Sequence, residues 1–220
     1  MIILTIIVLL VSCKKEIPAK KTIQPNQTTT NNYKPRTTTE GKIIKFDSAK
    51  VVSLNNKSLL AFYNSYHFET VWQIAKKRNV FLNAINNCSF EGLNPNDYSL
   101  NKLMKFENSF AKLSDKELVE YDLLLTKSFQ KYINHLTTGK LSPKSLYKDW
   151  ALTENKIDVN TLLKNSLDTD SLATNLEKAK PNHIVYKRLK MALLLIEKFP
   201  NDTIKKIKFN QKIVLNDTNK

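Results

Sequence analysis

Leu113-Ser114-Asp115-Lys116-Glu117-Leu118 opens the stretch that decides the fold, and Trp150 closes it. Ser114 is placed to accept from the backbone N–H three residues on, and Glu117 to reach back to the N–H of Ser114. Leu113 and Leu118 flank this capping box as a hydrophobic staple. Leu118, Tyr121, Leu125, Phe129, Tyr132, Ile133 and Leu136 then recur every three or four residues, which predicts a long helix with one apolar face. Gly139 supplies the C-terminal stop and Pro143 blocks resumption. From Leu141 to Asp149 the chain reads as an ordered turn that ends on Trp150, an aromatic anchor. The stretch holds no catalytic constellation. It is architecture.

Working outward, shorter helices are expected on both sides. Ser58 is the expected N-cap of a helix carrying Leu59, Phe62, Tyr63 and Tyr66, and His67–Trp72 reads as a short turn or extended piece. Val80 to Ser89 predicts a helix that groups Phe81, Ala84, Ile85 and Cys88, closed by Gly92. Asn94-Pro95 gives a cap and an N1 proline for a single turn. Ser99 then opens a helix with Leu103, Phe106 and Phe110 at helical spacing. Downstream, Asp158, Asp170 and Asn182 are the expected caps of three helices, the last ended by Phe199-Pro200. Ile207, Phe209, Ile213 and Leu215 alternate with polar residues, a strand-like tail with no strand to pair with. The expected architecture is all-α: one multi-helix domain over residues 58–199, followed by an extended tail at 200–220. Its expected core includes Phe62, Trp72, Ile85, Leu125, Phe129, Trp150, Leu189 and Leu193.

The N-terminal end has a different texture. Residues 1–12 are a short, uncharged apolar run of the size of a signal-peptide core, too short to span a bilayer comfortably. Leu10-Val11-Ser12-Cys13 ends it and looks like a bacterial lipobox, which implies cleavage before Cys13 and its acylation. The absent basic flank points to a start codon placed too late. Residues 13–57 read as a disordered Thr/Asn/Lys-rich linker, since they have little to bury. Near its end Ile43, Ile44, Phe46, Val51 and Val52 are candidates for a short strand.

Composition excludes much. Three glycines, Gly41, Gly92 and Gly139, cannot build a phosphate-cradling loop, a Rossmann turn or a nucleophile elbow. The net charge is +15, yet residues 13–57 hold ten Lys/Arg against three Asp/Glu, while 58–199 hold twenty against fifteen. A nucleic-acid domain concentrates charge on its folded part, so no nucleic-acid partner is expected. The excess suits a basic tether facing an anionic surface, or plain solubility. Cys13 and Cys88 make no disulfide framework and no metal motif, so neither a cofactor nor a metal is expected. Cys88 reads as a small apolar filler on a helix face. His67, His135 and His183 are scattered, and His135 is placed to favour a helix C-terminus as a partly charged imidazole. Glu117 and Glu120 sit with Lys116 and Lys127 on an ordinary solvated face.

The order of these pieces resembles a known arrangement. Phe62-Tyr63, Trp72, Ala84-Ile85, Gly92-Leu93-Asn94-Pro95-Asn96-Asp97-Tyr98, Asp122-Leu123-Leu124-Leu125-Thr126, then Tyr132, Gly139, Pro143 and Trp150 are similar to the α-helical scaffold domain of the large multidomain murein L,D-transpeptidases. The resemblance runs from about Ser58 to Phe199. It implies a non-catalytic scaffold module in the bacterial cell envelope, working in peptidoglycan cross-linking and cell-wall biogenesis. Its implied partners are a catalytic domain and a peptidoglycan-binding domain, in cis or in trans, with peptidoglycan itself a further candidate. The family's catalytic domain uses a His and a Gly-Cys-basic segment, and this sequence has no Gly-Cys pair. Cys88, in Asn86-Asn87-Cys88-Ser89-Phe90, does not match it, so no catalytic residue carries over. The chain is therefore expected to be a fragment or degenerate copy, anchored to a bilayer through acylated Cys13 and facing the periplasm. The alternative is a stand-alone envelope lipoprotein that binds wall glycan or a partner protein.

Overall fold

The long helix anticipated from the capping box is the axis of the fold. In a computed structural model, which describes residues 41–142 and 157–198, this helix, α5, spans Asp115–Thr138. Both halves of the box are made: the Ser114 N–H donates to Glu117 Oε2 at 2.8 Å, and the Glu117 N–H to Ser114 Oγ at 3.4 Å. At the other end Gly139 adopts φ 86° and its N–H donates to His135 O. Burial on α5 is wider than the predicted stripe, because Asp122, Thr126, Ser128 and Gln130 are buried as well. The helix is packed on more than one side, and the other elements gather round it.

Those elements are α1 (Ala49–Val52), α2 (Lys57–Ser65), α3 (Ala75–Asn86), α4 (Leu100–Asn108), α6 (Val159–Asp168), α7 (Leu172–Lys178) and α8 (Ile184–Ile196). Single 3-10 turns occur at Cys88–Glu91, Pro95–Tyr98 and Phe110–Lys112. The described residues form an all-α domain, as the pattern predicted. α5 meets α2, α3, α4 and α6, while α7 bridges α3 and α6. Aromatic rings fill the centre: Trp72 stacks on Phe81 at 5.7 Å, Phe81 lies 5.3 Å from Phe129, and Tyr98 meets Tyr132 edge-on at 5.2 Å. Phe62, Trp72, Ile85, Leu125 and Phe129 are buried as expected.

Several local expectations are corrected. Asn56, not Ser58, caps α2 by accepting from the Leu59 N–H, and Ser58 Oγ turns instead to Asn160. α3 starts at Ala75 rather than near Val80, and Cys88 falls in the 3-10 turn after it. The early start is masked in sequence because Lys77 and Arg78 interrupt the apolar pattern, yet both are buried with partners. Ser171 precedes α7 without a side-chain cap, while Asp170 pairs with Lys76 at 2.6 Å. His183, not Asn182, caps α8 through Nδ1. The largest correction concerns α8 itself: none of its residues is buried, Leu193 is half-buried, and Leu189 is 64% exposed.

The folded body also reaches back to Gly41, into the stretch expected to be linker. Val51 is fully buried, and Phe46 packs edge-on against Tyr63 and Phe68. The expected strand shrinks to one isolated bridge between Lys45 and Glu69. What aims Glu69 at it is a tight reversal in which His67 and Phe68 both have positive φ and the Glu69 N–H donates to Tyr66 O. The strand-like tail at 200–220, Trp150 and the lipobox with Cys13 lie outside the described residues.

Candidate functional site

Asp122 on α5 is the polar centre of the domain. Its Oδ2 accepts from the backbone N–H groups of Val71 and Trp72, both at 2.8 Å, and its Oδ1 from Tyr63 O–H at 2.5 Å. One turn on, Thr126 Oγ1 lies 2.8 Å from the same Tyr63 hydroxyl and accepts from Trp72 Nε1 at 3.0 Å. Two α5 side chains thus hold α2 and the extended segment 69–74, whose backbone groups have no helix of their own to satisfy them. Burial pushes the Asp122 carboxyl up to about 6 against these donors, and burial with Asp122 alongside pushes the Tyr63 hydroxyl well above its ordinary range. Asp122 also lines a cleft of about 20 Å³ with Gly41, Thr70, Gln73 and Phe110, room for a single water.

A second buried group ties α3 to α4. Arg78 is 1% exposed and its Nε donates to Glu107 Oε2 at 2.8 Å, while Nη1 donates to the carbonyls of Trp72 and Gln73. Tyr121 O–H donates to the same carboxylate at 2.7 Å, and the guanidinium lies 3.7 Å over the Phe110 ring. A third group fixes α8. Glu91, from the 3-10 turn after α3, accepts from Tyr186 O–H and Lys190 Nζ and pairs with Lys180 at 3.0 Å. Burial works to raise the Glu91 carboxyl, but Lys190, Tyr186 and Lys180 outweigh it and hold it below the usual range. Neither cluster was visible in the sequence. Their members are 29 and 99 positions apart, and no local spacing announces such a pair.

Among the described residues, none of those singled out in sequence for chemistry is brought to another for that purpose. His67 sits exposed in the reversal, His183 caps α8, and His135 Nδ1 lies 2.9 Å from Tyr98 Oη. Burial and Lys131 push His135 toward its neutral form, so the expected partly charged imidazole at the helix end is not what the fold favours. Cys88 is fully buried with its thiol directed at Leu93 O, and burial with Asp97 nearby pushes it up to about 12. Glu117 is occupied by its capping box and Glu120 by Lys102. Trp72 is buried in the core, as expected. Among the described residues no group of three His, Cys, Asp or Glu is arranged to hold a metal ion, and no helix is long and apolar enough to cross a membrane.

Residues 57–193 match the family described as Scaffold domain. The chain belongs to the Scaffold domain family. No curated protein and no solved structure matches the chain. The matched span begins at the first residue of α2 and ends inside α8, and it takes in the Asp122, Arg78 and Glu91 clusters. It is the scaffold domain to which the resemblance over about Ser58–Phe199 pointed.

Proposed function

We propose that this chain is the non-catalytic scaffold module of a murein L,D-transpeptidase of the bacterial cell envelope. It holds a catalytic unit and a peptidoglycan-binding unit, supplied in cis or in trans, and is anchored to the bilayer through acylated Cys13 so that it faces the periplasm. The family match over residues 57–193 carries this reading. Two physical features support it. The polar side chains of the interior are spent on bracing helices against one another, which is what a support of fixed shape requires. Thioester chemistry needs an activated thiolate beside a base, and Cys88, buried and pushed up to about 12, is inert at neutral pH.

The test is the cross-link composition of the wall. Deleting residues 57–193 in the native cell is expected to lower the share of L,D-type cross-links among muropeptides separated by chromatography and mass. The wild-type chain restores that share and Phe129→Ala does not. An unchanged profile, together with binding of the purified chain to isolated sacculi, replaces this reading by the stand-alone lipoprotein. Cross-linking of stem peptides by the purified chain alone overturns the non-catalytic assignment. For the anchor, the mature N-terminus is expected to be an acylated cysteine by mass spectrometry; a protein still beginning at Met1 rejects it.

A further inference from the structure

α8 presents an outward arc of large apolar side chains. Ile184, Val185, Leu189, Met191, Leu195 and Ile196 are each more than half exposed. At 3.6 residues per turn they fall within about 160° of the helix circumference. The opposite side is held, because Tyr186 and Lys190 are fastened to Glu91 and Leu193 and Leu194 are half-buried. The roll of α8 is therefore fixed, and its apolar side is fixed outward.

The charges around this arc have one sign. Lys187 and Arg188 lie on the helix, Arg188 within the arc itself, Lys198 follows it, and Lys178 ends the helix before it. All four are exposed, and none takes part in an ion pair among the described residues. Glu197 is the one acid from Pro181 to Lys198. A second copy fits poorly, since each chain carries +15 and face-to-face packing would set these cations against their equivalents. We infer that α8 docks flat on an anionic lipid surface, with the arc from Ile184 to Ile196 at the boundary of headgroups and acyl chains. Lys187, Arg188 and Lys198 lay their stems on the apolar surface and put their charges among the phosphates. A helix of 13 residues is about 20 Å long and lies on a bilayer rather than crossing it. This inference goes beyond the proposed function and needs neither the wall role nor the acylation of Cys13.

The experiment uses the full chain with Cys13→Ser and Met191→Cys, labelled at position 191 with an environment-sensitive nitrobenzoxadiazole; buried Cys88 is spared by the reagent. A second protein with Cys13→Ser carries the label at Lys105→Cys, exposed on α4, so that attachment through residues 1–12 is not mistaken for docking by α8. Vesicles of phosphatidylcholine with about one third phosphatidylglycerol are expected to raise and blue-shift emission at 191 several-fold and leave 105 unchanged. Pure phosphatidylcholine is expected to do neither. Lys187→Glu with Arg188→Glu is expected to weaken the response at least tenfold, and Leu189→Ser with Ile196→Ser to abolish it while circular dichroism stays helical. A silent 191 label, an equal response on uncharged vesicles, or the same change at 105 overturns the inference. A change at 191 that follows protein concentration without lipid overturns it in favour of a second copy.

Discussion

A buried carboxylate without a salt bridge is costly, and Asp122 is fully buried, held by hydrogen-bond donors with the Arg78 charge acting on it from nearby. Burial pushes its carboxyl up to about 6, above the roughly 3.9 of an unfolded chain. The raised value fixes the sign. Folding stability from Asp122 is complete below the unfolded value and is lost as pH rises through about 6. His135 acts in the opposite direction over the same window, since its folded value is depressed. The observable is therefore the difference between wild type and Asp122→Asn in urea melts. That difference is expected to be largest below about pH 3.5 and to shrink by about 2–3 kcal/mol by pH 7.5. Growth of the difference with pH would mean that the N–H donors prefer the carboxylate by more than burial penalises it. Glu107 is a harsher case, because its removal strands Arg78 in the interior. Glu107→Ala is expected to cost about 3–5 kcal/mol in the same assay, and a loss under 1 kcal/mol would show that water reaches the guanidinium. These roles were not legible in sequence. Arg78 stands in the run Lys76-Lys77-Arg78 and Glu107 beside Asn108, both ordinary solvated company, and only the fold turns them inward.

Helices were the most legible level, and two phenylalanine- and leucine-bearing elements show where that legibility stops. α5 announced its start, its length and its end through Ser114, Glu117 and Gly139, signals that depend on neighbours three or four residues away. α2 and α8 were located correctly, but their caps lie two residues before and one residue after the positions expected, since several polar residues compete at each start. Periodicity says that a helix has an apolar face; it does not say what covers that face. Phe129 and Leu189 were both expected in the core on the same kind of pattern. Phe129 is fully buried between Phe81 and Trp72, whereas Leu189 is 64% exposed. Phe129→Ala is accordingly expected to cost about 3–5 kcal/mol, while Leu189→Ala stays within about 0.5 kcal/mol. Chemical denaturation of the two variants in parallel checks both, and equal losses would mean that α8 is covered in solution.

At the scale of the whole molecule, the open question of the sequence was where the domain starts. The stretch before Lys57 follows a Thr/Asn-rich run and carries only a few apolar residues, so local density gave no reason to fold it. Its partners are distant: Ile44 exchanges hydrogen bonds with Thr70, the Phe46 N–H donates to Phe68 O, and Phe46 packs on Tyr63. The family match begins at residue 57 and so leaves these contacts out. Val51, fully buried, closes the core above α2, and losing it together with Phe46 removes roughly 2–5 kcal/mol of apolar burial. Gly41 adds a backbone constraint, since its N–H donates to Gln73 O at 2.9 Å and a Cβ there would meet Phe110 at 3.0 Å. A protein that begins at Lys57 is thus expected to melt at least about 5 °C below one that begins at Gly41. It should also bind a hydrophobic dye at the face that Val51 and Phe46 leave bare. Calorimetry of the two proteins side by side decides it. Identical transitions would mean that residues 41–56 rest on a domain already complete without them, and a single cooperative transition that weakens on their removal would make them its first element.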